Sequence, residues 1–196
     1  FFARNTCLEA DSAACGEIVY EIIQHLTALT ADIALPLYVA VSTDCGGFQY
    51  GNTTARTHRI AAALMDVVDV AAVNKTLFRT KSRVRLAMES RMVADMKLFD
   101  HQRVVVMEIP LSLRQEMQAT DADIEELSAL PALVEGTDCG VTLRELRPGT
   151  VKVSVRTGPR VDACALCRIL GGGGHHAASG ATVEGTLDEA RMACLL

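Results

Sequence analysis

The sequence predicts an α/β protein built from two parts that a long helix joins. In the first part, the apolar segment 37–41 leads into a glycine-containing loop and then a helix, which is typical of a buried parallel strand. In the second part, two strands flank Pro148-Gly149 and predict a hairpin. We therefore expect a parallel-sheet part, a connecting helix over residues 77–98 and a smaller α/β part with a mixed sheet.

Each further element follows from its local pattern. The chain opens with a helix whose apolar positions from Ile18 to Leu26 recur at helical spacing, and a second helix is expected from about Thr54. The connecting helix has one apolar stripe and contains no glycine or proline. The remaining predicted elements are a strand and a helix in 103–117, a helix in 121–136, the hairpin in 139–157, a helix in 161–170, a glycine loop in 171–180, a strand in 181–185 and a last helix capped by Thr186.

Composition excludes several classes of protein. With 19 basic and 24 acidic residues the net charge is -5, so nucleic acid cannot be held by bulk charge, and a phosphate group needs a local site. Aromatic residues make up 4% of the chain, which leaves little material for stacking on single strands. Seven scattered cysteines indicate reduced thiols. The apolar segments are too short to span a bilayer and no signal peptide precedes them, so we expect a cytoplasmic protein without a membrane partner.

The segment Gly171–Gly174, followed by His175 and His176, is the first candidate site. Four glycines cost conformational entropy, but they let backbone N–H groups approach an anion closely. A flexible turn explains a glycine run equally well. The two histidines favour the binding interpretation, because imidazole can donate to a phosphate, although one of the pair is expected to be only solvent-exposed.

Two single residues are weaker candidates. Arg156 alternates with valines at the end of a strand, where it is either a phosphate clamp or part of a solvated face, and taken alone the solvated face is the more frequent case. Asp44 follows the apolar strand, where a carboxylate suits a cation, although an isolated Asp is more often a turn or cap residue. Cys164-x-x-Cys167 lacks a second cysteine pair and is interpreted as packing thiols.

Together these segments resemble the DHH phosphoesterase superfamily. Residues 169–181, ILGGGGHHAASGA, are similar to the glycine-histidine signature of the DHH-associated C-terminal domain, and VKVSVRT ends where that family has a substrate-binding Arg. STDCGGFQYGNTTARTHRIAAALM resembles the last metal-ligand motif of the catalytic DHH domain, and AACGEIVYEII the helix before it. The subgroup that the chain most resembles is the oligoribonuclease and 3'-phosphoadenosine 5'-phosphate phosphatase branch, related to RecJ-like exonucleases.

The resemblance implies a manganese-dependent phosphoesterase with a two-metal site. By carry-over, Asp44 is a metal ligand, Arg156 neutralises substrate charge, and the substrate-binding positions are Gly172, Gly173, Gly174 and His175. The implied partners are short RNA or DNA oligonucleotides or a nucleotide bisphosphate, and a homodimer is compatible with this interpretation. The implied domains are 1–76, the C-terminal part of the DHH catalytic domain, 77–98, the connecting helix, and 99–196, the DHH-associated substrate-binding domain.

The chain departs from the family in one respect. Neither the early His-x-x-x-Asp-x-Asp motif nor the Asp-His-His triplet occurs in it, so we expect the C-terminal part of a longer protein, inactive by itself. Two alternatives stay open: a non-catalytic nucleic-acid-binding module, and a fragment of a cyclic-dinucleotide phosphodiesterase. The Asp44 motif favours the enzyme over the binding module, because a module that only binds has no need of it.

Overall fold

The computed structural model describes residues 6–195, which form two compact units, one up to Thr80 and one from Lys81 onward. The described helices are α1 (Cys15–Gln24), α2 (Ala31–Asp44), α3 (Ala55–Met65), α4 (Val70–Asn74), α5 (Arg83–Ala94), α6 (Leu111–Glu116), α7 (Asp121–Ile124), α8 (Ala163–Ile169) and α9 (Leu187–Leu195), with a π-helical turn at Lys75–Arg79 and a 3-10 segment at Glu125–Leu133. The described strands are β1 (Lys97–Phe99), β2 (Val104–Ile109), β3 (Cys139–Arg147), β4 (Thr150–Thr157), β5 (Gly173–His175) and β6 (Ala178–Glu184). No helix in this range is long and apolar enough to cross a membrane.

The predicted parallel strand at residues 37–41 is wrong, because this segment lies inside helix α2. Its buried residues Ala34, Leu37, Tyr38 and Val41 follow helical spacing and share one face of the helix. The continuous apolar run masks that spacing, since a short apolar run fits a buried strand and a buried helix equally well. No strand is present among the described residues up to Thr80, so the strand content of the α/β fold belongs to the second unit.

The predicted connecting helix over residues 77–98 is not continuous. The π-helical turn ends at Arg79, Thr80 is extended, and α5 begins only after Ser82, whose hydroxyl accepts a hydrogen bond from the Arg85 N–H at 2.9 Å. The division between the two units falls at this interruption. The predicted apolar stripe is confirmed within α5, where Met88 and Met92 are buried.

The second unit contains the predicted mixed sheet, with strand order β1-β2-β3-β4-β6-β5. Only β2 and β3 are parallel; the other neighbours are antiparallel. The predicted hairpin is confirmed as β3 and β4, with Gly149 at a φ of +76° in its turn, a backbone conformation that glycine adopts without strain. The predicted cap of the last helix is also confirmed, since Thr186 and Glu189 exchange hydrogen bonds with each other's backbone N–H groups.

The two faces of the sheet have different environments. On one face, Val141, Val153 and Val155 pack with residues of α8 and α9 into a buried core. On the other face, Val105, Met107 and Ile109 of β2 pack against α5, α7 and the 3-10 segment. Helices therefore cover the second face beside β2, and the part over β4 and β6 carries polar side chains instead.

Candidate functional site

The polar face of the sheet presents rows of functional groups across neighbouring strands. In the antiparallel register of β3 and β4, Arg144 lies opposite Lys152, Thr142 opposite Ser154, and Gly140 opposite Arg156. Residues opposite one another in a sheet share a face, so three cations and two hydroxyls lie on the same side. The valines that alternate with them along β4 point to the other side of the sheet, into the apolar core.

A cavity of about 620 Å³ lies over this face. Its floor is formed by β3 and β4, one wall by α7 and the 3-10 segment, and the other by the glycine-rich strands β5 and β6. Its lining includes polar, charged and glycine residues from all of these elements: Glu125, Thr142, Arg144, Lys152, Ser154, Arg156, Gly173 and Gly174. The cavity therefore brings together Arg156 and two of the predicted glycines, which are separated by 16 residues or more in the sequence.

The close approach of the 3-10 segment defines the closed end of the floor. A Cβ at Gly140 would lie 2.5 Å from the backbone nitrogen of Ala132, so only glycine lets this segment lie directly on β3. Thr142, which is 2% exposed, donates a hydrogen bond to the Ser128 carbonyl at 3.3 Å in the same wall. The wall is thus attached to the floor beside the cavity.

The three cations of the floor have no acidic partner. Among the described residues, no carboxylate lies within 4.0 Å of Arg144, Lys152 or Arg156, whereas ten other basic residues form ion pairs. Arg156 donates only to the carbonyl of its neighbour Val155, at 3.1 Å. Positive charge that no carboxylate offsets, in a chain of net charge -5, makes the cavity floor a candidate place for an anion.

The four glycines serve different purposes. A Cβ at Gly172 would lie 2.2 Å from the Gly180 carbonyl oxygen, and one at Gly174 would lie 2.7 Å from the Ala178 carbonyl oxygen. Gly171 and Gly174 also have positive φ angles of +76° and +151°. Gly173 differs, since it has no positive φ and a Cβ there would meet no atom within 4 Å. The fold therefore requires three of the glycines, and Gly173 is the one that leaves space in the cavity.

The two histidines are both exposed. His175 lies opposite Ala178, which lies opposite Arg156, so these three positions form one row across the sheet. The backbone carbonyl of His176 accepts hydrogen bonds from the Ala163 N–H at 2.8 Å and the Thr157 hydroxyl at 3.1 Å. His175 is thus the member of the pair whose side chain shares the polar face, and His176 attaches the loop through its backbone.

Asp44 lies apart from these groups in sequence and belongs to the first unit. It is exposed at the last position of α2, followed by Gly46, Gly47 and Phe48, which all have positive φ angles. The Asn52 amide donates to the Asp44 backbone carbonyl at 3.1 Å and to the Ala13 carbonyl at 3.0 Å, which joins the loop to the start of α1. The motif therefore forms a closed turn that presents the Asp44 carboxylate to solvent.

The donor set around Asp44 does not by itself fit a metal ion. Residues 6–195 contain no group of three or more His, Cys, Asp or Glu side chains that could hold one. A divalent transition metal in a hydrolase needs several such ligands. Asp44 contributes one carboxylate, so no catalytic step through a metal follows from the described residues.

A second cavity, of about 570 Å³, lies on the opposite face of the sheet and has a different character. Its lining is mainly apolar and includes Val141, Val155, Cys139 and Cys194. Burial raises the pKa of both thiols to about 11, so they are protonated and poorly nucleophilic near neutral pH. The prediction that Cys164 and Cys167 are packing thiols is confirmed, since both are buried in α8 and all seven cysteines are free.

Sequence reasoning missed Arg144 and Thr142. Both alternate with the apolar residues Val141 and Leu143 in β3, as Lys152 and Arg156 alternate with valines in β4. The period-two pattern in 141–144 was thus the available signal. Its significance depends on the pairing of the two strands, which only the structure provides.

Comparison with known proteins shows which proteins the chain resembles. The chain is 33% identical over 193 residues to the bifunctional oligoribonuclease and PAP phosphatase NrnA of Thermus thermophilus, which covers 96% of this chain and 57% of the relative. An exopolyphosphatase-related protein from Bacteroides fragilis has the same fold, with a TM-score of 0.90 and 22% identity over 98% of this chain and 58% of that one. No protein-family model matches.

These relatives are considerably longer, since the chain spans less than three fifths of each one's length. The match nevertheless covers both units, including the Asp44 turn and the glycine-histidine segment. The resemblance drawn from those two motifs is therefore confirmed: over nearly its whole length, the chain is similar to a bifunctional oligoribonuclease and PAP phosphatase of the DHH family.

Proposed function

We propose that the unit from Lys81 onward is the substrate-binding part of a phosphoesterase that acts on short oligoribonucleotides or 3'-phosphoadenosine 5'-phosphate. The observation that carries the proposal is the cavity floor, where Arg144, Lys152 and Arg156 face one space and have no carboxylate partner within residues 6–195. The named activity of the Thermus relative supports the substrate class. The second cavity offers no comparable set of cations, since its one basic residue, Arg103, is paired with Asp100.

Each proposed binding residue has a role that its position supports. Arg156 donates charge-assisted hydrogen bonds to a phosphate at the end of the floor beside β5. Gly173 lets the ligand approach the backbone of β5, and Gly172 and Gly174 keep β5 closely packed on β6. His175, in the Arg156 row, donates to the same phosphate or to a neighbouring oxygen.

The proposed chemistry requires manganese, which supplies Lewis-acid stabilisation and an activated water when it is bound. Asp44 is our candidate ligand, and the further ligands have to come from residues other than those described here. We therefore propose that the 196-residue chain binds its ligand and does not hydrolyse it. Manganese-dependent release of mononucleotide from a diribonucleotide by the purified chain would refute this part of the proposal.

The binding role can be tested by calorimetric titration of the chain with 3'-phosphoadenosine 5'-phosphate and with a diribonucleotide. Arg156→Gln should weaken binding about tenfold or more, because it removes a charge-assisted hydrogen bond to phosphate. The matched control is Arg147→Gln, which removes the same charge from the same hairpin outside the cavity. Equal weakening by both variants would mean that only overall charge matters, and the proposed site would be wrong.

The alternative function is a non-catalytic nucleic-acid-binding module. The lack of a three-ligand group in residues 6–195 is compatible with it. The two functions differ in the role of Asp44, since a module that only binds nucleic acid does not use that carboxylate. If Asp44→Asn abolishes manganese-dependent cleavage in a longer protein that contains this chain, the enzyme is supported, and unchanged cleavage counts against it.

A further inference from the structure

The cavity floor carries positive charge at two separate places. Arg156 lies in the row formed by Gly140, Ala178 and His175, and Lys152 lies four residues away along β4. At about 3.3 Å per residue, the two rows are roughly 13 Å apart along the strand. Between them lies a neutral row with the hydroxyls of Thr142 and Ser154. One phosphate group cannot fill both ends of such a floor.

The end away from Arg156 is formed by Arg144 and Lys152, which lie directly opposite each other on β3 and β4. Like charges at opposite positions of a sheet destabilise it. A carboxylate in a neighbouring row would offset this repulsion between Arg144 and Lys152. No carboxylate among the described residues lies within 4.0 Å of either cation. Folding alone therefore gives no reason for this pair.

The guanidinium of Arg144 adds an independent observation. Its Nε is buried and has no hydrogen-bond partner within the described part of the chain. A buried donor without a partner costs free energy, and a ligand oxygen would satisfy it. The same side chain lines the cavity, as does Lys152, so the missing acceptor would arrive from the cavity.

We propose that Arg144 and Lys152 form a second anion subsite, which binds a second phosphate of the ligand at the opposite end of the floor from the phosphate at Arg156. This inference rests on the proposed function, because it assumes that a nucleotide occupies the cavity. It makes the site selective for ligands with two phosphates, such as a nucleoside 3',5'-bisphosphate or a 5'-phosphorylated dinucleotide. The neutral row between the two cationic ends lies under the sugar that connects the phosphates.

The carboxylate of Glu125 strengthens the selectivity for where phosphates bind in the cavity. Glu125 lines the wall of the same cavity, and no ion pair within the described residues neutralises it. A phosphate placed near that wall would be repelled, whereas a hydroxyl or amino group could donate to the carboxylate. The phosphates are therefore restricted to the two cationic ends of the floor.

The test compares a bisphosphate with monophosphates on the 196-residue chain. Calorimetry gives the affinities for adenosine 3',5'-bisphosphate, 5'-AMP, 3'-AMP and 5'-phosphorylated diadenosine, first for the unchanged protein. We expect the bisphosphate to bind about tenfold or more tightly than the better of the two monophosphates. The dinucleotide shows whether the subsite also accepts a second phosphate that belongs to the next nucleotide.

Two variants then locate the subsite. Lys152→Gln and Arg144→Gln should each reduce the ratio of bisphosphate to monophosphate affinity about tenfold, and Arg156→Gln should weaken both ligands together. Arg147→Gln is the control for a lost charge on the same hairpin and should keep the ratio. Since Lys152 is exposed, its variant should fold even if the Arg144 variant is destabilised, which circular dichroism would reveal.

The outcomes separate the two proposals. A normal ratio in Lys152→Gln, or no bisphosphate preference in the unchanged chain, overturns the second subsite and leaves nucleotide binding intact. If Lys152→Gln weakens the binding of bisphosphate and monophosphate equally, the second subsite is also overturned, because Lys152 would then act only as general positive charge. If none of the four nucleotides binds the unchanged chain, the proposed function itself fails.

Discussion

Replacement of Gly173 by alanine should leave the fold intact and weaken ligand binding. A Cβ at Gly173 would meet no atom within 4 Å, and its φ is not left-handed, so the native backbone accepts alanine. Alanine also restricts the unfolded chain, which stabilises a protein by about 0.4–1 kcal/mol at such positions. The free energy of unfolding should therefore stay constant or rise slightly.

The binding effect follows from where the added methyl group lies. Gly173 is opposite Gly180, which is opposite Ser154, so its Cβ would point from the polar face into the cavity. There, next to the Arg156 row, it would keep the phosphate bound at Arg156 from hydrogen-bonding distance of the β5 backbone. Loss of one charge-assisted hydrogen bond of this kind weakens binding about tenfold or more. The same calorimetric titration with adenosine 3',5'-bisphosphate measures it.

Two further variants make the prediction specific. Gly172→Ala places a Cβ 2.2 Å from the Gly180 carbonyl oxygen, and such overpacking typically costs about 1–3 kcal/mol, so this variant should unfold at lower urea concentration. Gly158→Ala is the matched control, because its Cβ also meets nothing within 4 Å but the residue does not line the cavity. If Gly173→Ala binds as tightly as Gly158→Ala, the reasoning about this glycine is refuted.

Three other predictions concern stability and reactivity. Glu108→Gln removes the carboxylate that pairs with both Arg191 and Lys97, so urea titration should show a loss of about 1 kcal/mol; no loss would mean that the two pairs together are energetically neutral. The pKa of Asp162 is lowered because its carboxylate accepts the backbone N–H groups of Ala165 and Cys164. The stabilisation by the Asp162 carboxylate is therefore complete above a pH of about 4 and is lost as the pH falls through the lowered pKa. Asp162→Ala should thus lower the Tm at pH 7, and this effect should shrink as the pH falls below about 4. Because burial raises its pKa to about 11, Cys139 should react with iodoacetamide far more slowly than exposed Cys7 in peptide mapping, and equal labelling would contradict the packing described.

Local signals in the sequence predicted the hairpin and its cationic face. Pro148-Gly149 marks the turn, and the alternation of Lys152, Ser154 and Arg156 with valines places them on one side of β4. These features depend on a few neighbouring residues, so the structure agrees with them. The cap of the last helix at Thr186 was predictable for the same reason.

The position of Arg144 depends on a register that the sequence does not reveal. Arg147 pairs with Thr150 across the turn, and a regular ladder from there would place Arg144 opposite Val153. A bulge between Glu145 and Arg147 shifts the pairing by one residue, so Arg144 lies opposite Lys152 instead. Since a shift of one residue moves a side chain to the other face, the second cation of this row exists only because of the bulge.

The structure also changes the reason for assigning a role to Asp44. If residues 37–41 formed a strand, Asp44 would lie at the carboxyl end of that strand, where ligands of parallel sheets collect. The segment is helical instead, and Asp44 ends α2, where the helix dipole disfavours a carboxylate. The metal role of Asp44 thus depends on the motif resemblance, whereas Arg156 and Gly173 are supported by the resemblance and by the shape and charge of the cavity that they line.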